Sequence, residues 1–365
     1  MMLEHEIKIP ASTANSYPIR IATDILGSLR ARIEADFAGY NKFVVTDENL
    51  VSAGHLQKLL GQRDVPTFII SPAGETSKNI DTAISIIEAM EKAYLGRDTL
   101  VVALGGGTVG DIAGFAAAVF KRGVPVLQIP TTTVAQADSA VGGKTGVDSI
   151  LSKNAFGAFW HPVAVYIDVA TLTTLEDRQF RAGLVESVKH AIIADSEYFD
   201  FLEGNLDAVL ERKPEMLEKV AHWNCKIKGN VVEADPGEQN LRRILNYGHT
   251  IGHAVEAASG FELLHGEAVA IGIIAAGLIE IELGLSQPGR LDRTRGILEK
   301  LGVPVRLPRD LAQKDLIDLI KRDKKAVNKS PRFVLISEMG QVYCKDGQYA
   351  VEVAPDLVEK ILDKL

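Results

Sequence analysis

The apolar residues of this 365-residue chain change their period once, near residue 178, and that change sets the fold. Before it, Phe43–Thr46, Thr67–Ile70, Leu100–Leu104 and Val124–Ile129 are short apolar runs of strand length. Between the second and third, Ile80, Ala83, Ile84, Ile87 and Met90 recur at helical spacing. Strands alternating with helices predict βαβ units and a largely parallel sheet. Beyond residue 178 the pattern is helical over 181–194, 197–210, 214–234, 249–259, 265–283 and 291–301, and only 332–337 and 342–344 read as extended. The expected class is α/β plus all-α: an α/β domain over 1–178 and a mainly helical one over 179–365. The cleft between two such domains is a common place for a ligand.

Charge and cysteine usage narrow the function. A net charge of −8 argues against a dedicated nucleic-acid binder, yet leaves room for a local basic pocket. Cys225 and Cys344 stand far apart and outside any C-x-x-C pattern, so neither a disulfide framework nor a cysteine-built zinc site is expected. The start, MMLEHEIKIP, lacks the layout of a signal peptide. The longest apolar run, 268–279, is too short to span a bilayer and reads as a buried core helix. A cytoplasmic enzyme without nucleic-acid or membrane partners is the expectation.

Three clusters carry chemistry. Leu100 to Asp111 reads as strand, glycine turn and helix start, with Gly105, Gly107 and Gly110 fitting G-x-G-x-x-G. Such a turn lets a pyrophosphate approach the backbone at a helix N-terminus. The usual acid about 20 residues on is missing, because the next strand runs into Pro130-Thr131-Thr132. Asp47, ending an earlier strand, is an alternative partner for a ribose hydroxyl. Val141-Gly-Gly-Lys144-Thr-Gly146 resembles the end of a P-loop, but position 138 is Asp where a glycine is required. What remains is Lys144 and Lys153 near hydroxyls, suited to a phosphate or carboxylate or else simply solvated.

The third cluster is His249, His253 and His265, within 17 residues. His249 and His253 share a helical face with Glu256 one turn on, and spacing alone makes them a candidate metal pair, with capping histidines as the alternative. Earlier, Glu186 and Lys189 share a face of an apolar helix that also holds His190. A buried Glu there needs a partner, and a metal ion is one.

Taken in order, these segments resemble the 3-dehydroquinate synthases. The resemblance rests on Gly105-Gly-Gly, Gly110-Asp111, Gly114-Phe115, Arg122-Gly123, Pro130-Thr-Thr, Asp138-Ser139, Val141-Gly-Gly-Lys144 and Lys153-Asn154. It continues through Glu186-x-x-Lys189, Leu245-Asn-x-Gly-His-Thr-x-Gly-His253, His265-Gly-Glu267 and Asp323-Lys-Lys325. It implies a Rossmann-like NAD domain, a helical metal-binding domain and a homodimer. It places NAD contacts on Asp47, Asn49, Glu75, Lys78, Gly106, Gly107, Asp111, Thr131, Thr132, Lys144, Lys153, Thr171 and Thr174. A zinc or cobalt ion would be held by Glu186, His249 and His265. This moves His253 from the metal to catalysis beside the phosphate. Substrate contacts would be Asp138, Lys144, Asn154, Lys189, Lys228, Arg242, Asn246 and Lys324, with Arg122 reaching the phosphate across the dimer. The sequence departs from the family's commoner pattern at Thr133-Val134, Asp148 and 155–161, none of them matching a core catalytic position.

The implied substrate is 3-deoxy-D-arabino-heptulosonate 7-phosphate. The implied course is transient oxidation at C5 with NAD, β-elimination of phosphate, re-reduction, ring opening and aldol closure. Rival readings are another sugar-phosphate cyclase (a 2-deoxy-scyllo-inosose or 2-epi-5-epi-valiolone synthase), a metal-dependent polyol dehydrogenase, or a non-catalytic binding paralogue. Asn246 and the Val141–Lys144 turn favour the first family named. A dehydrogenase would accumulate NADH where a cyclase recycles NAD. Three retained metal-site residues and the lysine set count against a binding paralogue.

Overall fold

A computed structural model describes residues 16–260, 262–309, 311–322 and 331–365. The chain begins with β1 (Ile19–Ala22), α1 (Leu26–Asp36) and β2 (Asn41–Asp47), then the short helices α2 (Glu48–Ser52) and α3 (His55–Leu60). Next come β3 (Thr67–Ile70), α4 (Ile80–Lys92), β4 (Thr99–Gly105), α5 (Gly107–Val119) and β5 (Val126–Pro130). A hairpin of β6 (Lys144–Val147) and β7 (Phe156–Phe159) precedes β8 (Ala164–Asp168). The main sheet has six strands in the order β1-β8-β5-β4-β2-β3, every pair parallel.

β4 shows why these strands read as unbroken apolar runs: all its residues are buried. Val101 and Ala103 face one side, with Ile112 and Ala116 of α5. Leu100, Val102 and Leu104 face the other, with Leu26 and Leu29 of α1. A parallel sheet covered on both faces has no polar face to alternate with. The β6–β7 hairpin, β1 and β8 were not expected. Gly146 faces Gly157 in the hairpin, which leaves little side-chain pattern to read. β1 is a half-buried edge strand of four residues.

The helical half comprises α6 (Asp177–Ala194), α7 (Ser196–Leu210), α8 (Pro214–Ala234), α9 (His249–Ala258), α10 (His265–Glu282) and α11 (Pro288–Leu301). After these come α12 (Gln313–Arg322), β9 (Arg332–Val334), β10 (Ile336–Glu338), β11 (Gln341–Val342), β12 (Ala350–Glu352) and α13 (Pro355–Leu362). The six expected helices are present, with ends moved by up to four residues. α6 starts at Asp177 because its first turn is charged, with Arg181 bonded back to Asp177 at 2.5 Å, and apolar spacing does not register it. β12 pairs with β9 and was missed, being three residues long.

α10 is the buried core helix foreseen for 268–279, and two glycines let it sit against main chain. A Cβ at Gly266 would stand 1.8 Å from the Ala182 carbonyl oxygen of α6. One at Gly272 would stand 1.9 Å from the Gly248 carbonyl oxygen, just before α9. Three helices carrying site residues thus meet at backbone distance. Among the described residues, no helix is long and apolar enough to cross a membrane.

Candidate functional site

Apart from Lys144 and Lys153, which lie on the β6–β7 hairpin, the expected cofactor residues follow the carboxyl ends of the parallel strands, where an open α/β sheet forms its binding crevice. Asp47 ends β2, where its carboxylate accepts from the Leu50 backbone N–H at 3.0 Å, and Asn49 follows in α2. β2 is the strand beside β4, so an acid does flank the glycine turn. It lies before the turn in sequence rather than after it. Gly106 and Gly107 open α5. A Cβ at Gly105 would meet Val109 at 2.6 Å, so the tight turn admits no side chain there. Asp111, one turn into α5, bonds the buried Lys78 at 2.7 Å, and Glu75 takes the Thr108 hydroxyl at 3.1 Å. Burial pulls the Lys78 ammonium down, but Asp111 and Glu75 outweigh it and raise its pKa.

Thr131 and Thr132 follow β5, and Thr171 and Thr174 follow β8. The Thr131 hydroxyl is buried with no hydrogen-bond partner. Thr171 donates to the Asp168 carbonyl at 2.7 Å, and Thr174 pairs with His55 at 2.7 Å. An orphaned hydroxyl beside a glycine turn and a helix N-terminus suits a bound dinucleotide.

Across the cleft, α6, α9 and α10 bring together Glu186, His249 and His265. Oε1 of Glu186 lies 3.8 Å from His249 Nε2 and 3.5 Å from His265 Nε2, and one ligand atom from each residue fits within 4.8 Å. Glu186 is 1% exposed and its Oε1 makes no hydrogen bond, while Oε2 is bonded by Lys189. Each imidazole is held from behind. His249 Nδ1 faces the Tyr247 carbonyl at 3.0 Å, and His265 Nδ1 faces Glu256 at 3.3 Å. That arrangement aims both Nε2 atoms at the same point, as metal sites require.

The charges of Glu186 and His249 suit ligation, while at His265 a bound cation takes the place of a proton. Burial would raise the Glu186 carboxyl, but Lys189 and the two imidazoles hold it well below its usual value. Burial and then Lys189 push His249 far down, keeping it neutral. Burial opposes a charge on His265, yet Glu186 and Glu256 lift it to about 9. An orphaned carboxylate oxygen and two oriented imidazoles fit a divalent cation. His253 is exposed beside them, its ring centroid 5.1 Å from that of His249 and 5.8 Å from that of His265.

Asp138 lies in a π-helical turn over Ala135–Ser139, a distortion frequent at functional sites. Lys228 of α8 bonds its carboxylate at 2.7 Å. Burial would raise the Asp138 carboxyl, but Lys228 and Lys189 hold it below the usual range. Arg242 is buried and donates to the Gly142 carbonyl at 2.8 Å, with its Nε unpartnered. Gly142 has φ +94°, and a Cβ there would stand 2.5 Å from that guanidinium. The Gly-Gly turn before Lys144 thus has a main-chain reason besides anion binding.

Two acids that spacing did not single out for these contacts join the site. Glu238 pairs with Lys144 and accepts from Asn246 at 3.3 Å. Glu256 pairs with Lys153 at 2.8 Å, and Lys153 also reaches Glu75 at 3.4 Å. A lysine-to-acid pairing over some hundred residues leaves no local signal. Asn154 is exposed, with its backbone N–H bonded to Asp148 at 2.6 Å. Arg122 is exposed on the turn after α5. Lys324 lies outside the described residues.

Family models described as 3-dehydroquinate synthase N-terminal and C-terminal match residues 68–182 and 183–326. A 3-dehydroquinate synthase of Symbiobacterium thermophilum is 42% identical over 96% of this chain and 98% of its own length. One from Acidithiobacillus ferrooxidans is 45% identical over 89% and 90%. Among solved structures, a 2-epi-5-epi-valiolone synthase from Streptomyces hygroscopicus with NAD+ and Zn2+ bound superposes with a TM-score of 0.87. It is 27% identical over 98% of this chain and 99% of that one. A 2-deoxy-scyllo-inosose synthase complexed with carbaglucose-6-phosphate, NAD+ and Co2+ gives 0.85 at 26% identity, over 95% and 96%.

Proposed function

The chain belongs to the 3-dehydroquinate synthase family, and we propose that the residues of its cleft divide that reaction into three tasks. The enzyme is a lyase that converts 3-deoxy-D-arabino-heptulosonate 7-phosphate to 3-dehydroquinate and phosphate, with NAD and zinc or cobalt as cofactors. Glu186, His249 and His265 hold the metal. The unpartnered Glu186 oxygen facing both imidazoles is the observation that carries this assignment. Asp47, Asn49, Glu75, Lys78, Gly106, Gly107, Asp111, Thr131, Thr132, Lys144, Lys153, Thr171 and Thr174 hold NAD, on the half running to about residue 178.

When bound, the metal supplies Lewis acidity at a substrate hydroxyl and NAD a reversible hydride acceptor. The chain's own groups hold and neutralise the substrate. Asp138, Lys189, Lys228 and Arg242 fix its hydroxyls and carboxylate, which suits a carbon skeleton that must stay in place through several steps. Lys144, Asn154 and Asn246 bind the anionic end, Lys324 is given a substrate-binding task by the Asp323-Lys-Lys325 motif, and Arg122 joins from a second copy in a homodimer. Cations there stabilise the phosphate as its C–O bond breaks. His253 is placed to exchange a proton on that side. Two free cysteines fit a reducing, cytoplasmic setting.

The test is phosphate release from this substrate by protein loaded with NAD and zinc or cobalt, with and without a chelator. Release that the chelator stops supports the reading. Folded, loaded protein that releases none sinks it, and net NADH accumulation would point to a dehydrogenase.

A further inference from the structure

Lys189 of α6 is followed by a side chain to which neither the metal nor the cofactor assignment gives a task. His190 is fully buried. Its Nδ1 lies 3.1 Å from Asn224 Oδ1, and its Nε2 lies 3.8 Å from Asp138 Oδ1 with no hydrogen-bond partner. Behind it, Asn224 Nδ2 lies 2.9 Å from the Ser187 hydroxyl. The Tyr198 hydroxyl lies 3.2 Å from Asn224 Oδ1 and 3.4 Å from the Val220 carbonyl.

The orientation of such an amide follows from its partners. With Oδ1 towards His190, the ring proton must sit on Nδ1, and Nε2 becomes a bare acceptor facing a carboxylate. A buried polar atom then goes unpaired beside a negative charge. With the amide turned over, Asn224 Nδ2 donates to His190 Nδ1 and to the Tyr198 hydroxyl. Oδ1 accepts from Ser187, and Tyr198 donates to Val220. The ring proton moves to Nε2 and points at Asp138. Closing that gap to hydrogen-bond length takes a shift of about 1 Å.

We propose that His190 is a positioning residue. As the Nε2–H tautomer set by Asn224, it holds the Asp138 carboxylate towards the substrate. Lys228 grips the same carboxylate from α8, four residues beyond Asn224 on that helix. The two helices thus clamp the π-helical turn that carries Asp138. The proposal rests on the reading of Asp138 as a substrate contact.

The test compares two variants. His190→Gln puts an amide near the position of Nε2, and His190→Asn near that of Nδ1. His190→Asn should raise KM about tenfold, the effect of one lost hydrogen bond, with kcat less affected. His190→Gln should restore most of the loss. Equal losses in both, following a fall in Tm, would overturn the proposal. Nitrogen-15 NMR of histidine-labelled enzyme should find the His190 proton on Nε2, and a proton on Nδ1 overturns the geometry by itself. Asp138→Asn is the separate control: an unchanged KM removes the reading of Asp138 and the positioning role with it, whatever the tautomer.

Discussion

Glu256 meets His265 at 3.3 Å with one carboxylate oxygen and Lys153 at 2.8 Å with the other. It thus links a proposed metal ligand to a proposed cofactor contact. Losing a carboxylate behind a metal-ligating histidine typically costs 10–100-fold in affinity. Glu256→Gln should therefore weaken zinc binding by about that factor, read by competition against a chromogenic chelator. Wild-type affinity in the variant would leave Glu256 without this role.

Gly272→Ala tests the seating of α10. Its methyl would stand 1.9 Å from the Gly248 carbonyl oxygen, and main chain gives way less readily than a side-chain tip. Overpacking typically costs about 1–3 kcal/mol, and this contact belongs at the upper end or beyond. Denaturant unfolding should show the loss, and zinc content should fall with it because His249 adjoins the contact and His265 lies two turns away on the same helix. Unchanged stability would mean that the helices part readily at this contact.

His190 also sets a pH dependence. Burial and Lys189 push its pKa down to about 4, against the pull of Asp138 and Glu186, with Lys228 adding to the fall. The unfolded chain takes up a proton near the ordinary value of 6.5, and the folded protein does so only near 4. The unfolded state therefore binds more protons in that window, so stability drops as pH falls through it. The full term is roughly 3 kcal/mol. Urea unfolding at stepped pH should show a shallower decline for His190→Gln than for wild type. Parallel declines would mean that the ring titrates normally.

The cysteines should differ sharply. Burial pushes the Cys225 thiol up to about 12, while Cys344 is exposed. An alkylating reagent at neutral pH should label Cys344 and spare Cys225 until the protein unfolds. Labelling of Cys225 in the native protein would contradict its burial.

Much of the fold was legible because both halves write their burial into one dimension. β4 is apolar throughout because both faces are covered, and α10 is apolar nearly all round because it lies at the centre of the helices. The hairpin was not legible, since glycine opposite glycine carries no pattern. The site divides in the same way. Spacing found the histidines but could not pair Glu186 with His265, because that contact depends on how α6 meets α10. It offered Asp47 as a ribose partner without showing that β2 lies beside β4, since strand order is not written along the chain. Ordered motifs supplied the pairing of Glu186 with His265. Glu238 and Glu256 acquired their partners only when the chain was folded.

The main-chain contacts at Gly266 and Gly272 have an evolutionary consequence. They fix the addresses of the two imidazoles by backbone alone, independent of most side chains around them. Sequence can then drift widely while the metal end of the cleft keeps its shape. A chain 26% identical to this one, named for a different product, still superposes with a TM-score of 0.85. That neighbour holds carbaglucose-6-phosphate, a phosphate ester like the substrate of this family, so a change of substrate falls on side chains away from the anionic end.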